Sequence, residues 1–394
     1  MRVDRERLQP SEPRFFCLFD LGFRPFFLGA AVVAVVWMAL WVLTVRGLPV
    51  ESYYGVYRWH AHEMVFGYAA AVIAGFLLTA VENWTDIPTP HGPGLAALFA
   101  LWVAGRVAPF LPGIVPPPVQ AALDLAFLPA LGLALALPLI KGGEPRNTMF
   151  VAILGLLTAA DGLIHAEVLG WSTQSAARGT VLGLGVVVLA IVIIGGRVFP
   201  MFTARIPGVS PKRRGAVEAA ALLSLVLFLV AVIARPGSAT TGLAALLAGV
   251  CHAVRLWGWY DRRVWSEPLV WVLHLGYAWV VAGFLLWSLA AFGRIPHGAA
   301  VHAFTAGGIG VLTLGMMARV ALGHTDRPLV AARPTVAAFV LVNLAALARV
   351  AIPIALPGYY AQALLVAGAL WIMGFVLFLA VYAPILVGPC ANGD

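Results

Sequence analysis

Nine histidines are the residues of this chain best suited to chemistry, and they are unevenly placed. His60 and His62 stand two apart in WHAHEM, His165 follows Asp161 by four positions, and His302 follows His297 by five. His252, His274 and His324 are embedded in apolar runs, whereas His91 falls in a Pro/Gly loop and reads as solvated. Imidazole suits iron, copper and zinc, and haem iron takes one or two axial histidines. Cys17, Cys251 and Cys390 are isolated, so no CxxC thiolate site exists and they read as packing residues. With neither a cysteine pair nor an acidic cluster visible along the chain, a histidine donor set points to haem b or copper. Zinc would bring a thiolate or carboxylate. In one helix His60 and His62 differ by roughly 200° in direction, so both cannot face one iron. One would ligate haem while the other serves a second metal or stabilises the helix start.

Other polar groups support such a site. Asp161 and His165 share a helix face at i,i+4 spacing, which suits a carboxylate orienting an imidazole, a proton relay or an interhelical hydrogen bond. Glu63, beside His62, is a second carboxylate able to relay protons. Arg58, Arg197, Arg255 and Arg319 fall at helix ends and suit haem propionates. Snorkelling towards headgroups accounts for arginines there equally well.

The elements that must position these residues are membrane helices. Of 394 residues, 62% are hydrophobic and 11% charged, and the mean hydropathy is +0.94. A soluble domain is near half apolar and a quarter charged, so a water-soluble enzyme is excluded. An all-α polytopic membrane protein is expected, with about twelve spans of ~20 apolar residues: 26–45, 62–82, 94–112, 117–140, 147–169, 178–197, 216–235, 239–257, 267–291, 298–322, 334–356 and 360–388. The net charge of +8 follows from topology and not from nucleic-acid binding, with Lys212, Arg213 and Arg214 a topology signal. Of the 25 Lys and Arg, 18 fall on the side of the N-terminus. The positive-inside rule then puts both termini in the cytoplasm. Residues 1–25 lack the apolar core of a signal peptide and read as a cytoplasmic segment, its stretch from Phe15 to Phe27 lying at the interface. Residues 26–388 form one transmembrane domain and 389–394 a short cytoplasmic tail. His60, His62, His165 and His302 then form an outer group, with His297 near it. His252, His274 and His324 form an inner one.

The chain also repeats itself. Residues 62–88 and 302–328 align at an offset of 240, with His62/His302, Gly67/Gly307, Gly75/Gly315, Thr85/Thr325, Asp86/Asp326 and Pro88/Pro328 coinciding. Halfway between, Gly195 and Pro207 mark a fainter copy. A pseudo-threefold arrangement of four-helix units fits this spacing. Weak internal symmetry is equally a feature of transporters.

Several segments carry a family resemblance: FRPFFLGA (23–30), WHAHEMVFGYAAAVIAGFLLTA (59–80), GGRVFPMFT (195–203), PLVWVLHLGYAWV (268–280) and HAFTAGGIGVLTLGMMARVALGHTDRP (302–328). They resemble the NnrS family of bacterial membrane proteins, from about residue 15 to the end of the last span. The resemblance implies a twelve-helix inner-membrane protein that binds haem and copper and acts in nitric oxide metabolism or nitrosative-stress resistance. Its motif histidines are His60, His62, His274, His302 and His324, with His165 and His252 in less distinctive surroundings. A looser similarity links the chain to the catalytic subunits of haem–copper oxidases and nitric oxide reductases, whose second and tenth helices clamp a haem. Spans 6 and 7 here carry no histidine, so the usual copper ligands are missing, and likeness of fold does not settle chemistry. The expectation is one outer haem between spans 2 and 10, axially held by His62 and His302 with Arg58 nearby, and copper at His60 with His165. A second, inner haem or metal site is expected at His252, His274 and His324. Nitric oxide or a related small ligand is the expected partner, converted with Asp161 and Glu63 relaying protons and with the electron donor left open. The alternatives are a non-catalytic sink or sensor and a secondary transporter.

Overall fold

The computed structural model describes residues 16–48 and 50–389. Cys390, residues 390–394 and most of the segment 1–25 lie outside the described residues. Twelve helices are long and apolar enough to cross a membrane: α1 Phe23–Val45, α2 Arg58–Thr85, α3 Gly92–Phe110, α4 Pro117–Lys141, α5 Met149–Val168, α6 Ser175–Thr203, α7 Gly215–Ala234, α8 Ala239–Trp259, α9 Pro268–Ala291, α10 His297–Gly323, α11 Arg333–Ala355 and α12 Pro357–Val387. No strand occurs among the described residues. In hydrocarbon each helix satisfies its own backbone, which is why apolar runs of this length fold as helices. Proline opens α4 and α9, where a missing N–H is harmless.

Span α2 begins at Arg58, earlier than its apolar run, because Trp59 is fully buried against Trp37, Trp41 and Phe110. His60 and His62 therefore both lie within the helix. Of the expected interfacial stretch, Phe23, Phe26 and Phe27 are buried in the first turns of α1, whereas Phe16 and Phe19 precede the helix and Phe16 is exposed. Residues 16–22 are tied to the bundle through Cys17 N–H to the Val387 carbonyl (2.8 Å) and Gly92 N–H to the Phe19 carbonyl (2.7 Å).

The repeat is visible in three dimensions. Immediately after His62 and after His302 the helix widens into a π-helical turn, Glu63–Ala69 and Ala303–Gly310. Such insertions are rare and concentrate at functional sites. Both copies end alike: Thr85 and Thr325 donate to the carbonyls of Val81 and Ala321 at 2.8 and 2.7 Å. Asp86 and Asp326 follow with left-handed φ of 53° and 56°. Spans α2, α6 and α10 touch one another at the centre, and Tyr68 of α2 shares a 2.6 Å hydrogen bond with Thr313 of α10. Around this centre α12 closes the ring onto α1.

Candidate metal centre

The start of α2, the end of α3, the second turn of α4 and the end of α5 meet on the face opposite the start of α1, and each brings a polar group. His62, Asp124, Asp161 and His165 are all buried, and one donor atom from each lies within 4.8 Å of the other three. His62 Nε2 stands 2.8 Å from Asp161 Oδ1 and 3.2 Å from Asp124 Oδ2. His165 Nε2 stands 3.4 Å from Asp124 Oδ2 and 3.5 Å from Asp161 Oδ1. For bonds of ~2.05 Å, tetrahedral donors are about 3.3 Å apart, so the spacing suits a metal ion as well as the hydrogen bond between His62 and Asp161. The other ring nitrogens are also occupied: His62 Nδ1 faces Glu63 Oε1 at 3.3 Å, and His165 Nδ1 shares a 3.2 Å hydrogen bond with the Tyr53 hydroxyl. Partners of this kind hold metal-binding imidazoles in orientation.

Arg106 completes the wall, donating to Glu63 Oε1 at 2.9 Å and to Asp124. Counted as ionised, Glu63, Asp124 and Asp161 set three negative charges against one guanidinium. With neutral imidazoles the buried cluster is two charges short of neutrality, which is what one divalent cation supplies. The loop before α2 covers the cluster: Tyr54 stacks on His62 with ring centres 3.9 Å apart and donates to Asp124. Burial and the nearby Asp161 carboxylate push the Tyr53 phenol up to about 12 and hold the Tyr54 phenol well above its ordinary value, so both remain donors.

His60 turns the other way, as the angular argument requires. It stacks on Trp41 with centres 4.3 Å apart and lines a pocket of about 40 Å³ together with His302, Arg349 and Trp371. His302 Nδ1 bonds to the Gly298 carbonyl at 2.6 Å, which leaves the Nε2 lone pair for a ligand. The histidine of α2 beside His302 is thus His60, and the one beside His165 is His62, an exchange of the two expected places. The absence of an acidic cluster is also overturned: Glu63, Asp124 and Asp161 come from three spans.

At the opposite face the inner histidines do not converge in this way. His252 Nδ1 lies 2.6 Å from the Tyr277 hydroxyl and its ring stacks on Phe284. His274 Nδ1 bonds to the Val270 carbonyl at 3.1 Å. His324 forms the C-terminal cap residue of α10, its ring 5.9 Å from that of Phe23. The four arginines have protein partners: Arg58 pairs with Glu167 at 2.6 Å on the surface, and Arg197 bonds Asn147 at 2.7 Å. Arg255 pairs with Glu218 at 2.5 Å and bonds Tyr277 at 2.8 Å, and Arg319 lies over the Phe202 ring at 3.6 Å. His297 packs edge-on to Trp287. Sequence reasoning missed Asp124, Arg106 and Arg349, although each is an ionisable residue within a span and flagged by that alone.

A family profile described as NnrS protein matches residues 17–389. The chain belongs to the NnrS family. That membership carries a role in nitric oxide metabolism or response. No individual curated protein matches the sequence. In this NnrS protein the WHAHEM motif divides between two pockets, with His62 in the carboxylate-rich one and His60 in the aromatic one.

Proposed function

We propose that this NnrS protein holds a non-haem metal ion, copper by preference, at His62, Asp124, Asp161 and His165, and binds or converts nitric oxide. The observation that carries the reading is the buried cluster of four donors. Two imidazoles and two carboxylates suit Cu(II), Fe(II) or Zn(II). A bound copper or iron would supply a redox-active, nitric-oxide-binding centre. Glu63 and Arg106 hold the ligand orientation, and Glu63 and Asp161 are the groups placed to pass protons. Tyr53 and Tyr54 separate the site from solvent. Nitric oxide is small and neutral, so it reaches such a centre from the bilayer without a polar channel.

His60 and His302, with Arg349 beside them, offer the donor chemistry of two axial imidazoles. The space, about 40 Å³ between Trp41 and Trp371, does not admit a haem macrocycle, so the residues as they stand do not fit that group. At the opposite face His252, His274 and His324 do not converge on one point, and no second haem is placed there. The excess of Lys and Arg at that face supports a cytoplasmic orientation for it in an inner membrane, with the His62 and His60 pockets towards the periplasm.

The test is elemental analysis with optical and paramagnetic-resonance spectra of the purified protein. His62→Ala or Asp161→Asn is expected to remove the metal, whereas His60→Ala and His302→Ala, outside the cluster, should keep it. Wild-type protein without bound metal would defeat the reading. Nitric oxide consumption with an electron donor separates conversion from sequestration, which uses the same ligands.

A further inference from the structure

The repeat has a counterpart at its own axis. Where α2, α6 and α10 meet, halfway along α2, they line with Phe27 of α1 a half-open pocket of about 70 Å³. Val72, Ile73 and Phe76 line it from α2, and Leu312, Thr313 and Met316 line it from α10. These are the same three positions shifted by the 240-residue offset of the repeat. Between them Ile194 and Gly195 of α6 form the third wall, and Gly195 lies 120 residues from both Gly75 and Gly315. The internal symmetry thus supplies most of the lining, and the pocket lies ten residues along α2 and α10 from His62 and His302.

Its lining offers water nothing. The only polar side chain, Thr313, gives its hydroxyl to the Ile309 carbonyl at 2.6 Å and shares a bond with Tyr68. A cavity needs about 10–15 Å³ of this volume for one water, and apolar cavities of sufficient size stay dry and take up xenon or small apolar molecules. On one side Phe199 forms part of the wall and packs against Tyr277, the partner of His252 and Arg255.

We propose that this axial chamber is a binding site for a small, neutral, apolar molecule of diatomic size, and that it stores nitric oxide between the bilayer and the outer metal centre. The use for nitric oxide rests on the functional reading above; the chamber as a gas site does not. The experiment exposes crystals of the full-length protein, and detergent-solubilised samples for xenon NMR, to xenon. One xenon is expected in contact with Val72, Ile194, Leu312 and Met316. Val72→Phe should fill the space and abolish that site while the helical circular dichroism is kept; Leu312→Phe serves the same purpose if Val72→Phe does not fold. Ordered water or a lipid chain in the chamber, no xenon in wild type, or xenon undiminished in a folded filled variant would each overturn the chamber. Xenon binding in a protein that neither holds metal nor reacts with nitric oxide would keep the chamber and remove the functional reading. If both hold, the filled variant should form its metal–nitrosyl signal several-fold more slowly at unchanged metal content, and an unchanged rate would overturn the storage role.

Discussion

At the scale of residues, Asp124 carries the most connections in the centre. One carboxylate oxygen meets Arg106, and the other takes Tyr54, His62 and His165. Replacing it by Asn removes a charge from each of these partners at once. Breaking a buried ion pair at one end costs about 3–5 kcal/mol because the survivor is left uncompensated. Asp124→Asn is therefore expected to lower the thermal midpoint clearly and to lose the metal, whereas Glu167→Gln, at the exposed pair with Arg58, should do neither. Differential scanning and metal analysis of the two variants check this. Tyr53 allows a second measurement. Its ordinary value of 10.0 is raised to about 12 by burial and by Asp161. A phenol whose folded value is raised adds stability that is complete below 10.0 and is lost as the pH climbs through about 12. In a phenolate absorbance titration, Tyr53→Phe should remove a late-titrating group and leave the transition near 10.0 intact. The Asp161–His165 pair is legible in the sequence because its partners are one helical turn apart. Asp124 and Arg106 are not, since their partners are brought by other spans and no local spacing announces them.

At the scale of elements, the existence of twelve helices follows from hydropathy alone, while the helix starts depend on packing. The apolar run of α2 begins near His62, yet buried Trp59 extends the helix back to Arg58, and that extension sends His60 and His62 to different pockets. The π-helical turns are not legible either, because nothing in EMVFGYA or AFTAGGIG distinguishes a wide turn from a normal one. Close approach between α5 and α6 is a further requirement. A methyl group at Gly179 would collide with the Ala160 carbonyl oxygen, a backbone atom that cannot turn aside. Ala160 precedes Asp161, so Gly179→Ala should push the carboxylate away from His62. We expect a loss of about 1–3 kcal/mol, the range for overpacking, and weakened metal binding. Gly162→Ala, whose methyl would meet open space, is the control that should change neither property. Thermal melts with metal titration test both.

At the scale of the whole molecule, three sites around the central spans differ in their linings. The one built on α2–α5 is ionic, and the one on α10–α12 with α1 and His60 is aromatic and basic. The third, on α6, α7 and α9 with Phe304, is apolar throughout. Its lack of donors predicts that substitutions such as Leu225→Ala will lower stability by roughly 2–5 kcal/mol without altering metal content, which melts and metal analysis will distinguish.

The ring closure of α12 on α1 has one more consequence. Arg24 donates to the carbonyls of Leu386 and Gly388, and Cys17 to that of Val387, so the two ends of the described chain are already neighbours on one face. A genetic permutation that joins them by a short linker and opens the chain between Thr203 and Gly215 would leave every span crossing in its present direction, since six helices lie on either side of the cut. The continuity of the polypeptide is then incidental to the architecture, and the two six-helix halves made as separate polypeptides should find each other in the membrane.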